Sequence, residues 1–217
     1  MKVNRICAAL LTAGLVYSAP SSAFVLSFEG VDDGATVMNF YNGGTDSNGN
    51  SGPNNYGVAF GAGAFVLTGG ISQGYSNNPS PTSIMYMPAD LIIVMNMANG
   101  FTTFSFFYTS ATTGTVKVYD DLDGSGVEIG SSSLIVQNTE GGCTDSDFCH
   151  WTKVETTLLG TGKSVTFTVD DLSLTGFDDI ALTPACVANC NNVPEPTTLA
   201  VLGLGLAGLW FGRRQRI

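Results

Sequence analysis

Between Phe24 and about Thr183 the apolar residues of this chain show no amphipathic helical repeat. They stand at every second position or in short solid runs, and clusters of Gly, Asn, Ser and Asp separate the runs. In Ser164-Val165-Thr166-Phe167-Thr168-Val169, an extended backbone puts Val165, Phe167 and Val169 on one face and the hydroxyls on the other. Such a strand buries one side only. The runs that read as strands are Phe24–Phe28, Thr36–Tyr41, Tyr56–Phe60, Ala64–Thr68, Leu91–Met97, Thr103–Thr109, Thr115–Tyr119, Val127–Val136, Thr152–Leu159, Ser164–Val169 and Asp179–Leu182. Many short strands, glycine-rich turns and no crossover helices predict an all-β fold, an antiparallel β-sandwich of the jelly-roll kind.

Both ends of the chain differ from this body. Lys2 and Arg5 precede the apolar run Ile6 to Val16, and Ser21-Ser22-Ala23 places small residues before Phe24, as a secretory signal peptide does. Pro20 disfavours cleavage after Ala19, which leaves Ala23 as the expected end of the removed piece. An uncleaved N-terminal anchor is the alternative, although the apolar run is short for a span. At the other end every residue from Leu199 to Phe211 is apolar or glycine, and Arg213, Arg214 and Arg216 follow. A helix over Thr197 to Gly212 would rise about 24 Å, less than the ~30 Å of a hydrocarbon core. The tail is expected to enter a membrane with its arginines at the cytoplasmic interface.

Removing both ends leaves Lys117, Lys153 and Lys163 against nearly all of the 18 acidic residues. So acidic a body will not bind nucleic acid by charge, and its carboxylates could serve as oxygen ligands for hard divalent cations. Of the five cysteines, Cys7 falls in the leader, while Cys143, Cys149, Cys186 and Cys190 belong to the exported portion. An even number behind a signal peptide points to disulfides, and local pairs are expected, Cys143 with Cys149 and Cys186 with Cys190, since each brackets a short segment of turn formers. A zinc site is the alternative, without the histidine pair that usually completes one.

Asn42 to Asn55 and Ser72 to Ser83 read as loops, and Cys186 to Pro196 as a linker. Asp120-Asp121-Leu122-Asp123-Gly124-Ser125-Gly126 has some EF-hand character, but its later acid does not arrive at the required spacing and no helices flank it. A hairpin turn built on Asp-Gly is expected there.

Val193-Pro194-Glu195-Pro196, the glycine-studded apolar run ending in Trp210-Phe211-Gly212 and the arginine cluster together closely resemble the PEP-CTERM sorting signal of Gram-negative exported proteins. The resemblance implies handling by an exosortase, a membrane enzyme thought to cut near Pro194, Glu195 and Pro196 and pass the protein to the cell surface or extracellular polymer. On that footing the membrane helix is temporary. The expected layout is a signal peptide over 1–23, a β-sandwich domain over 24–184, a linker over 185–193 and a sorting and anchor segment over 194–217.

A second resemblance lies in the body. Phe28-Glu29-Gly30, Tyr56-Gly57-Val58-Ala59-Phe60, Val118-Tyr119-Asp120 and Gly176-Phe177-Asp178-Asp179-Ile180 resemble segments of calcium-containing jelly-rolls among carbohydrate-binding modules and other PEP-CTERM proteins. In those, first and last strands lie side by side over a structural calcium, which by position implies Glu29 with Asp178 or Asp179 as ligands. The alternative is that these acids are solvated strand ends.

Catalytic signals are few. His150 is the sole histidine, and no Gly-x-Ser-x-Gly elbow accompanies it. Two carboxylates across a cleft would suffice for a glycosidase, but no pair stands out. For sugar contact the tools are aromatic rings and loop amides, with Tyr75 and Trp151 singled out by their loop-like surroundings. The expectation is a non-catalytic surface or matrix protein that contacts extracellular polysaccharide. The alternatives are an enzyme acting on polysaccharide and a purely structural or adhesive protein.

Overall fold

The computed structural model describes residues 22–52 and 54–185. The leader, the linker, Cys186 and Cys190, and the tail with Pro194, Glu195, Pro196, Arg213, Arg214 and Arg216 lie outside the described residues. Within them are ten strands: β1 (Phe24–Leu26), β2 (Val58–Phe60), β3 (Phe65–Thr68), β4 (Ser83–Tyr86), β5 (Ile92–Ser110), β6 (Gly114–Tyr119), β7 (Glu128–Leu134), β8 (Thr152–Thr156), β9 (Gly162–Val169) and β10 (Thr175–Pro184). The pairings between them are antiparallel. No helix among the described residues is long and apolar enough to cross a membrane.

β5 belongs to both layers of the sandwich. Its first half, Ile92 to Met97, pairs with β9 and β2, and β9 continues to β6 and β7. Its second half, from Phe101 to Ser110, pairs with β10 and β8. The far edge of β10 carries β1 and then β4, with β3 outermost. The chain turns the corner at Ala98-Asn99-Gly100, where Gly100 takes φ 74°. A bulge follows, in which β5 takes two steps against one on β10, from Phe101 opposite Pro184 to Thr103 opposite Thr183. It shifts the alternation by one, so that Met95 and Met97 face the core before the corner and Phe104, Phe106 and Tyr108 after it. Between the layers Phe167 of β9 packs on Phe106 and Phe177, with ring centroids 6.3 and 5.0 Å apart.

Three expectations about strands are corrected. Thr36 to Tyr41 is not a strand: Met38 has φ 46°, Phe40 N–H turns back to the Val37 carbonyl, and only Thr36 bridges to β3. Its buried side chains, Val37, Phe40 and Tyr41, do not fall at a spacing of two. Leu91–Met97 and Thr103–Thr109 are one continuous strand, because Ala98-Asn99-Gly100 bends the backbone without reversing it. β4 lies between Pro81 and Pro88, where proline-rich flanks hid it from the sequence pattern.

Candidate functional site

Two of the implied calcium ligands, Asp178 and Asp179, sit at a second bulge, and Glu29 lies near enough for its charge to act on Asp179. β10 takes three steps between Asp178 and Ala181 against two on β5, and the extra residue, Asp179, sits at φ 45°. Asp178 is 0% exposed. Its Oδ2 accepts the Ser80 N–H at 2.9 Å, and its Oδ1 accepts the Ser80 hydroxyl at 2.6 Å and the Asp179 N–H at 2.7 Å. Glu29, just beyond β1, accepts the Thr82 hydroxyl at 2.8 Å and the Ser83 N–H at 2.9 Å. Both acids therefore hold the segment that leads into β4, where Thr82 is forced to φ 86°. Nearby, the Tyr41 hydroxyl accepts the Phe28 N–H at 2.7 Å.

No salt bridge among the described residues reaches these acids. Burial pushes the Asp178 carboxyl up to about 7, against which the Ser80 donors work only in part. Asp179 is raised too, first by burial and then by the Glu29 charge. Burial also raises the Tyr41 hydroxyl. Carboxylates, hydroxyls and carbonyls without a basic partner suit a hard cation in charge and donor type. They do not yet form a cage. The only set of three metal-ligating side chains within 4.8 Å of one another among the described residues is Cys143, Asp145 and Cys149. In that set the two sulfurs are joined as a disulfide, with Cα atoms 6.1 Å apart, so the expected local pair is present and its thiolates are not free for metal.

Asp46, inside the first long loop, was not singled out from sequence. Its carboxylate accepts the backbone N–H groups of Asp32, Asn48 and Asn50 and the Asn50 side-chain amide, bonds that outweigh burial and hold its pKa below the usual range. The Asp120–Gly126 segment is a turn between β6 and β7, tied to β5 by paired Asn96–Asp123 hydrogen bonds.

Tyr75 is corrected as an exposed stacking platform, for it is 1% exposed. Its hydroxyl lies 2.8 Å from the Leu67 carbonyl and 2.6 Å from that of Thr82. Trp151 is half-buried, donates its indole N–H to the Ser76 carbonyl at 2.8 Å and rests over Gly176. The two residues do belong together. The segments around Tyr75 and Phe148 pair as a short parallel bridge, with Ser76 N–H bonded to the Phe148 carbonyl and Phe148 N–H to that of Gly74. The disulfide lies one residue from Phe148. This flap covers the β3, β4 and β10 side of the sandwich and encloses a pocket walled by Tyr75, Tyr86, Phe148 and Ile84, with Thr109 and Gly176 among its other walls. His150 lies 3.9 Å from exposed Glu140.

Beyond the body, residues 192–216 match the PEP-CTERM protein-sorting motif. The motif implies an exported protein sorted by an exosortase. The PEP-CTERM motif takes in Pro194, Glu195 and Pro196 as well as the three tail arginines. No curated protein matches the chain as a relative. The chain is similar to the K2 cleaved adhesin domain of Lys-gingipain, at 12% identity over 75% of this chain and 99% of that one, with a TM-score of 0.47. It is similar to a family 29 carbohydrate-binding module from Piromyces equi at 11% identity, over 80% and 95% of the two chains, TM-score 0.40. A family 87 α-1,3-glucanase catalytic domain is 15% identical over 66% of this chain and 28% of the other, TM-score 0.40.

Proposed function

We propose that residues 24–184 form a non-catalytic module that contacts extracellular polysaccharide once the PEP-CTERM protein reaches the cell surface or matrix. In this layout residues 1–23 are removed on export, 185–193 link the module to the membrane, and 194–217 address it to the exosortase. The single observation behind the reading is the disulfide-braced flap, which sets an aromatic-walled pocket with a few hydroxyls on the outside of a rigid two-layer body. Aromatic walls with sparse polar groups suit sugars, whose CH faces pack on rings while hydroxyls take hydrogen bonds.

Calcium belongs to the same proposal, at Glu29, Asp178 and Asp179. Ion entry would draw these carboxylates together and take the place of the proton on Asp178. The raised Asp178 pKa and the absence of a salt bridge to any of the three support it.

The test is a pull-down of the exported protein with the producer's own extracellular polysaccharide, with calcium and with EDTA. Retention without release of reducing ends is the expected outcome. Release of reducing ends would instead establish the polysaccharide-acting enzyme, and neither retention nor release the structural or adhesive protein. EDTA should lower the melting temperature; an unchanged value would remove calcium from the account.

A further inference from the structure

We propose that β8 is a docking edge for a second copy of this chain, and that two copies join there across a two-fold axis into one continuous sheet. β8 is the last strand of its layer and is paired with β5 along one side. Outside that ladder no hydrogen bond among the described residues reaches a backbone N–H or C=O from Thr152 to Thr156. Other edges are closed by the chain itself. Along β3, Gly34 N–H bonds the Val66 carbonyl and Val66 N–H that of Ala35; Val58 and Phe60 of β2 donate to the Tyr41 and Met38 carbonyls; and Leu159 N–H covers Ile129 on β7. β1 is open as well, but with three residues to the five of β8. An uncovered row of backbone donors and acceptors is a template for another strand.

The sequence of β8 chooses the partner and the register. Thr152-Lys153-Val154-Glu155-Thr156 is self-complementary about Val154. Lys153 and Glu155 are exposed on the outer face, while Val154 packs half-buried against the core. Two antiparallel copies keep their buried faces on one side only if odd positions oppose odd and even oppose even. Centring the contact on Val154 sets Lys153 opposite the second copy's Glu155 twice, Val154 opposite Val154 and Thr152 opposite Thr156. Each of these is a favourable cross-strand pair. Moving one step either way centres the contact on Lys153 or on Glu155 and puts like charges face to face. Within one copy Lys153 Nζ lies 2.7 Å from Glu155 Oε1, and neither group is bonded to another element among the described residues, so both are free to re-pair. A lysine on an edge ordinarily guards it against such contacts. Here the glutamate two residues on cancels that charge and supplies the counter-ion for the other copy. Five residues of edge make a weak contact, and on the polysaccharide reading its use is avidity, since the pair presents two flap pockets to a repeating polymer.

The experiment is sedimentation equilibrium of the exported protein from about 1 μM to about 1 mM, in about 0.15 M salt, where repulsion between two acidic bodies is screened beyond about 8 Å. A reversible equilibrium between one copy and two is expected. Lys153→Glu sets acid opposite acid at both symmetric positions, and Glu155→Lys sets base opposite base, so each variant should associate about tenfold more weakly than the wild type. Mixed in equal amounts, the two variants should regain wild-type association, because each then meets the opposite charges. Both have lost the pair within one copy, so recovery on mixing can come only from pairing between copies. A wild type that stays monomeric throughout, association that grows beyond two copies, variants that pair as tightly as the wild type, or a mixture no tighter than its components would each overturn the inference.

Discussion

Asp178 puts a carboxyl where water does not reach, and its folded pKa of about 7 stands above the ordinary 3.8. The native state therefore keeps a proton that the unfolded chain has already released. Stability from this group is complete below about pH 4 and is lost as the pH rises through 7, at up to about 1.4 kcal/mol per pH unit. Asp46 is shifted the other way, so its contribution is present above its unfolded value and lost only in acid. Denaturant unfolding between pH 4 and 7 should show Asp178→Asn with a flatter profile than the wild type; parallel profiles would mean that the carboxyl is not protonated. Ser80→Ala removes the hydroxyl that Asp178 accepts and should lower stability by about 1–3 kcal/mol at neutral pH, read from the same titrations. The adjacent pair Asp178-Asp179 was legible in the sequence as a candidate site. Ser80 was not, because a serine between two prolines reads as loop, and nothing local marks its partner 98 residues away. Tyr75 misled for a related reason: Gly74, Ser76 and Asn77 look like an exposed loop, but that loop folds back onto the sheet.

At the scale of elements, the strands with clean alternation were readable, and β9 and β6 lie close to where their patterns put them. The failures occur where the repeat is broken by design of the backbone. Gly100 carries the corner of β5, and a Cβ there would lie 2.6 Å from Thr161 Cγ2 in addition to the unfavourable positive φ. Gly100→Ala should destabilise by about 1–3 kcal/mol, measurable as a shift in denaturation midpoint with unchanged slope. The flap has a covalent brace in addition to its buried Tyr75. Cys143 and Cys149 are six positions apart, and closing so short a loop is worth about 2 kcal/mol in the unfolded chain. Replacing both by alanine should lower stability by that amount and speed hydrogen exchange at Phe148 and Ser76 more than in β9.

For the molecule as a whole, the two kinds of sequence signal are of different reach. A sorting motif is local and can be read in a line of residues; the flap pocket is assembled from β3, β4, β5, β10 and two loops, and no window of sequence contains it. Intact-mass analysis of the exported protein should show a loss near Pro194–Pro196 in cells with the sorting enzyme and a retained tail in cells without it. The same spectra locate the N-terminal cut, expected after Ala23.

β10 also spans the distance between the pocket and the point where the described chain ends. The described chain leaves the sandwich just past Pro184, beside Phe24 at the start of β1, while the flap pocket lies against Thr175 and Gly176 at the other end of the same strand. Eight residues of strand separate them, about 25 Å. A load taken up at the pocket and resisted beyond Pro184 would therefore run lengthwise along β10, in shear across its ladders to β1 and β5 rather than peeling them open one bond at a time.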